Sequence, residues 1–168
     1  MKTLTGHSDA VWCVAVFPDC SRIVSGSGDE TVKVWDAKSG TNLMTLTENS
    51  FSAWDVVVHC VSVFPDCSRI ASGNNDNSVK IWDAKTGEKL YEITGHSGLV
   101  NCMSVFPHCS RIVSGSIDRS VKVWGMVYYP AKNVYILLMK LSLIEDVVEK
   151  ILEYCIAPKY ELETLWKK

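Results

Sequence analysis

Val16-Phe17-Pro18-Asp19-Cys20-Ser21-Arg22-Ile23 returns as Val63-Phe64-Pro65-Asp66-Cys67-Ser68-Arg69-Ile70, and again as Val105-Phe106-Pro107-His108-Cys109-Ser110-Arg111-Ile112. Each copy is followed by a Ser-Gly pair, then an Asp in a polar cluster, then a Val-Lys-Val/Ile-Trp run that ends at Trp35, Trp82 and Trp124. Such self-similarity means that one supersecondary unit is used three times, each unit burying its apolar faces against its neighbours.

Within the first unit, alternation and Val/Ile content predict strands over Val11 to Val16, Arg22 to Ser27 and Thr31 to Asp36. A more polar strand from Thr41 to Thr47 follows the Ser39-Gly40 turn. Pro18-Asp19-Cys20-Ser21 and Gly28-Asp29-Glu30 are turn compositions. The second unit predicts strands at Val58 to Val63, Arg69 to Gly73, Ser78 to Asp83 and Glu88 to Thr94; the third at Val100 to Val105, Arg111 to Ser116 and Ser120 to Trp124. Four short strands in a period of roughly 40–45 residues is the spacing of β-propeller blades.

The rest of the composition is mostly exclusion. The chain has 168 residues and is 47% hydrophobic, enough to bury a core. A net charge of −2 with both signs scattered provides no basic stripe for a phosphate backbone, so no nucleic-acid partner is expected. No signal-peptide-like run and no membrane-spanning apolar stretch occurs, so a soluble cytoplasmic or nuclear protein is the expectation. Of the seven cysteines, Cys13, Cys60 and Cys102 share one repeat position and Cys20, Cys67 and Cys109 another, leaving Cys155 alone. The absence of any Cys-x-x-Cys argues for reduced, packed thiols rather than zinc ligands.

Over residues 3–125 the chain resembles the WD-repeat β-propellers. Gly6-His7 and Gly95-His96 are similar to the Gly-His that opens that motif, and Trp35-Asp36 and Trp82-Asp83 to the Trp-Asp that closes it. The resemblance implies an all-β fold of four-stranded antiparallel blades: a partial propeller of three blades over residues 1–127 (about 3–46, 47–93 and 94–127); beyond it the residues themselves read as a C-terminal strand and amphipathic helix tail over 128–168. It also implies a bracing network in each blade: His7, Ser25, Asp29 and Trp35 in the first; Ser72, Asp76 and Trp82, without a His, in the second; His96, Ser114, Asp118 and Trp124 in the third. The second unit has Thr47-Glu48 where Gly-His is expected, and its extra length lies in Glu48 to Val57; the third ends Trp124-Gly125. In the tail, Ser142-Leu143-Ile144-Glu145 is a capping box that opens an amphipathic helix closed by Pro158.

Three blades do not close a ring, since propellers use four to eight. Three resolutions stay open: two chains form a six-bladed homodimer, the tail caps an open arc, or the chain is a piece of a longer repeat protein. No catalytic constellation, metal site or cofactor motif stands out, because His7 and His96 are assigned to bracing and Gly26-Ser27-Gly28 lacks the Lys of a phosphate loop. The resemblance implies instead a non-enzymatic scaffold or adaptor that meets a protein or peptide partner on one rim. The rim candidates are Trp12, Glu30, Trp54, Asn77, Asn101 and Arg119, which vary while the frame around them repeats. Two other readings remain open: the tail helix as an F-box-like element of a ubiquitin-ligase substrate receptor, and the repeats as the sensor part of a larger signalling NTPase.

Overall fold

The computed structural model describes residues 2–47 and 56–125. The tail beyond 125, with its capping box and helix, and Trp54 lie outside the described residues. What is described is eleven antiparallel strands in three sheets and no helix.

The first blade orders β1 (Val11–Val16), β2 (Arg22–Ser27), β3 (Thr31–Asp36) and β4 (Asn42–Thr47) in chain sequence across the sheet. The second does the same with β5 (Val58–Val63), β6 (Arg69–Asn74), β7 (Val79–Asp83) and β8 (Lys89–Ile93). The third comprises β9 (Val100–Val105), β10 (Arg111–Ser116) and β11 (Val121–Gly125), so it has three strands among the described residues. The strand ends shift by a residue or so from the sequence reading where turns claim them. Asp36 N–H, for instance, donates to the Thr41 carbonyl (2.9 Å), so β4 begins at Asn42, and Gly40 supplies a φ of 79° in that turn.

The repeated phrase forms the tight β1–β2, β5–β6 and β9–β10 turns. Cys20, Cys67 and Cys109 take left-handed φ values of 59°, 58° and 57°, and each N–H donates back to the carbonyl of Phe17, Phe64 or Phe106. The Arg that follows the turn lies over the Phe ring, 3.8 Å from the centroid for Arg22 on Phe17 and 4.1 Å for Arg69 on Phe64. Arg22 continues into the next blade, donating to the Ala84 carbonyl at 2.9 Å.

Because side chains alternate across a strand, every blade has two faces. One face of blade one, with Val24, Val32, Val34 and Leu46, packs on Val58, Val61, Ile70 and Trp82 of blade two. Blade two repeats this with Ala71, Val79, Ile81 and Ile93 against Val100, Ile112 and Trp124 of blade three. Each fully buried Val, Leu or Ile contributes roughly 1.5–3 kcal/mol, so these two layers are the core. The outward flanks of the arc are apolar and exposed: Val14 and Val16 on blade one, Val121 and Val123 on blade three.

Candidate functional site

The β2–β3 turn, the loop before β1 and the start of β1 meet at one end of the blade. There Trp35 Nε1–H donates to Ser25 Oγ (2.8 Å), Ser25 Oγ lies 2.7 Å from His7 Nε2, and His7 Nδ1 lies 2.8 Å from Asp29 Oδ2. An indole N–H only donates and a carboxylate only accepts, so with a neutral imidazole the bonds run one way, from Trp35 through Ser25 and His7 to Asp29. The ring edge of His7 meets Trp35 at 5.9 Å between centroids and 63° between planes. Asp29 also accepts from the Ser8 N–H (2.9 Å), the Thr31 hydroxyl (2.6 Å) and the Thr31 N–H (3.1 Å). Burial pushes its carboxyl up, but the bonds from Thr31, Ser8 and His7 outweigh that and hold it well below the usual carboxylate range.

Blade three builds the same chain from Trp124, Ser114, His96 and Asp118, at 2.7, 2.8 and 2.7 Å. Asp118 is likewise held low, chiefly by the Ser120 hydroxyl against a desolvation penalty, with His96 adding to it. In blade two Trp82 Nε1–H donates to Ser72 Oγ (3.0 Å), and Lys80 fills the role of the missing imidazole in a different way: its buried ammonium bonds Asp76 Oδ2 at 2.6 Å. Burial raises the Asp76 carboxyl, and the bonds from Lys80 and Ser78 pull it below its ordinary value. Ser25, Ser72 and Ser114 are buried under their indoles. The networks tie loops to sheets and present no nucleophile to solvent.

The same end carries the rim. In each blade the first strand has a β-bulge that breaks the register between Val11 and Cys13, between Val58 and Cys60, and opposite Gly115/Ser116 at Val100 and Cys102. The extra residue is Trp12, His59 or Asn101, and a bulge re-aims its side chain out of the ladder. Trp12 is 58% exposed, and its ring lies 5.9 Å from that of His59, at 38°, across the blade boundary. Asn101 is exposed in the third blade. Glu30, Asn77 and Arg119 occupy the β2–β3, β6–β7 and β10–β11 turns with left-handed φ of 67°, 69° and 68°. Glu30 and Arg119 are exposed and Asn77 half-buried. His59 was not among the sequence candidates, although it stands as far before Val63 as Trp12 does before Val16.

Stacked antiparallel sheets, two of four strands and one of three among the described residues, each braced by an indole–hydroxyl pair and keyed to the next by alternate apolar side chains, define a blade-built repeat protein of the propeller class. The chain belongs to the WD domain, G-beta repeat family, whose model matches residues 1–36, 40–83 and 87–125. It is similar to the "Notchless protein homolog" of Arabidopsis thaliana, 48% identical over 44 residues, and to "Eukaryotic translation initiation factor 3 subunit I" of Xenopus tropicalis, 42% identical over 50 residues. Those matches cover 26% and 30% of this chain but only 9% and 15% of the two relatives. Among solved structures it is similar to the RRP9 WD40 repeats, with a TM-score of 0.69 at 31% identity, over 74% of this chain and 38% of the other. The structure of U3-55K gives 0.67 at the same identity and coverage.

Proposed function

We propose that this chain is a non-enzymatic protein-interaction scaffold whose rim, formed by Trp12, His59, Asn101, Glu30, Asn77 and Arg119, receives a protein or peptide partner. The observation that carries this is the contrast between frame and rim. The bulge and turn geometry is the same in every blade, while the side chains held there are an indole, an imidazole, an amide, a carboxylate and a guanidinium. Exposed Trp and Arg are the side chains that most often anchor protein contacts. Buried hydroxyls already engaged by Trp and His support a binding role over a catalytic one. An intracellular setting, cytoplasmic or nuclear, and pairing of two copies into a six-bladed ring belong to the same reading. Six free thiols among the described residues accord with a reducing compartment.

The test is selection of displayed random peptides on the purified chain, followed by anisotropy titration of the enriched peptides against Trp12→Ala, Asn101→Ala and Arg119→Glu. Loss of about tenfold or more in affinity on the rim variants, each still folded, is the expected result. Unchanged titrations on all three would refute the rim assignment.

A further inference from the structure

The two contacts between blades inside this chain are copies of one interlock. Gly26 on β2 leaves a hollow that Val58, at the start of the next blade, fills: a Cβ at Gly26 would stand 2.5 Å from Val58 Cγ1. Gly73 on β6 receives Val100 in the same way, with 2.7 Å from its Cβ position to Val100 Cγ1. Around each hollow a pair of β-branched residues is covered by the following blade. Val32 and Val34 are each 1% exposed in the first contact, and Val79 and Ile81 are both 0% in the second.

The third round of this pattern is present in halves, at opposite ends of the arc. Gly115 on β10 is the next hollow, and among the described residues beyond its chain neighbours only Cys102 Sγ lies within 4 Å of its Cβ position. The β-branched pair beside it, Val121 and Val123, is 72% and 56% exposed. At the other end Val11 starts β1 as Val58 and Val100 start β5 and β9, yet it is 51% exposed where they are 4% and 0%. Val14 beside it is 67% exposed where its counterpart Val61 is 8%. Among the described residues, one hollow lacks its knob, and one knob lacks its hollow.

We propose that the Gly115 face of blade three binds the Val11 face of blade one in a second copy of this chain, and that the reciprocal contact closes the pair into six blades. The occupant follows from the internal contacts: the face that fits a Gly26- or Gly73-type hollow begins with Val in the first strand, and this chain carries such a face unused. Each contact must join unlike faces, hollow to knob, since two Val11 faces set against each other would oppose knob to knob, and the two reciprocal contacts are related by a two-fold axis. Apolar sheet faces of this kind on a chain of this size are otherwise an association liability. The inference rests on the reading of the chain as a blade-built scaffold, but it uses the flanks and not the rim.

The experiment is the absolute mass of the full chain by light scattering on a size-exclusion column, across a dilution series. Twice the 18.7 kDa chain mass is expected. Val11→Glu and Gly115→Val should each weaken association about thirtyfold or more, the range of a central interface position. Mixing those two variants should restore a dimer, because one carries the intact hollow and the other the intact knob. Val121→Glu, at a position exposed in the single chain, should act as Gly115→Val does and stands in for it if that variant fails to fold. A wild-type monomer would overturn the proposal, with the flanks then covered by the chain's own residues or by blades of another protein. So would self-association that ignores all three substitutions, or variants that stay apart on mixing. Arg119→Glu should leave the dimer mass unchanged, so a failed rim and a failed flank are read separately.

Discussion

Ser25→Ala removes one oxygen and leaves two neighbours unbonded. Ser25 is buried and its Oγ joins Trp35 Nε1 at 2.8 Å to His7 Nε2 at 2.7 Å. Deleting it strands a buried indole N–H and a buried ring nitrogen, each costing about 1–2 kcal/mol, the lower part of the range for an unsatisfied buried group, so the loss should be about 2–4 kcal/mol. Ser114→Ala removes the same two bonds in blade three and should cost the same. Ser72→Ala is the internal control, since Ser72 Oγ takes the Trp82 N–H and has no imidazole partner. It should cost about half as much, roughly 1–2 kcal/mol. Glu30→Ala, on the exposed turn beside the network, should change stability by less than about 0.5 kcal/mol. Urea unfolding followed by tryptophan fluorescence gives all four, with the midpoint shift read at constant slope. At roughly 4 °C per kcal/mol the Ser25 and Ser114 variants should also melt roughly 8–16 °C early. If Ser72→Ala costs as much as Ser25→Ala, or if all three serines match Glu30, the network does not brace the blades as its geometry implies.

The acid limb of stability should rest in part on Asp29 and Asp118. Their folded carboxyls lie below the ordinary value of 3.8, so their contribution is complete above that value and is lost as pH falls through it towards the lower folded values. Melting temperatures measured from pH 7 down to pH 3 should fall less steeply below pH 4 in Asp29→Asn/Asp118→Asn, and an unchanged slope would argue against this. Gly26→Ala should destabilise by about 1–3 kcal/mol in urea, because its Cβ would stand 2.5 Å from Val58 Cγ1 and 2.7 Å from Cys13 Sγ; a neutral result would mean that the blade contact yields freely. Burial pushes the Cys13 thiol up to about 11 and the Cys60 thiol up to about 12, so both should resist an aromatic disulfide reagent at pH 8 in the native state, while the exposed Cys20 and Cys102 react first. Mass mapping of the labelled peptides checks the order.

Much of the fold is legible in the sequence because the same physics is written three times. The strand positions follow from period-two alternation anchored on Val-Phe-Pro, and β1, β2, β3, β5, β9 and β10 begin and end where the alternation does. Elements set by turns are less legible. Nothing in the Cys side chain announces that Cys20, Cys67 and Cys109 adopt left-handed backbone, a conformation usually given to Gly or Asn. The Lys80 bond to Asp76 was also hidden, since it depends on the register of β7 and not on a motif. For the rim, the loop before β5 suggested Trp54. Trp54 lies outside the described residues; within them, His59 holds in β5 the bulge position that Trp12 holds in β1. A bulge is a property of a pair of strands, so the residue it re-aims emerges only when both strands are in register.

The repeat explains an asymmetry that no single blade contains. Val11, Val58 and Val100 are the same residue at the same place, and so are Gly26, Gly73 and Gly115, yet two of each set are packed and one of each is not. Phe17 and Phe64 are 1% and 0% exposed while Phe106 is 37%. Identical local sequence cannot produce that difference; position in the series does, because each blade is buried by the blade that follows it. A chain built from n such units therefore carries n−1 satisfied contacts and one unsatisfied contact split between its ends, whatever n is, until the ends meet. Adding internal stability to any blade leaves that split contact untouched. A surface with a blade's own pattern completes it, which is why substitutions at Val11 and Gly115 should act on association far more than on the folding of the chain that bears them.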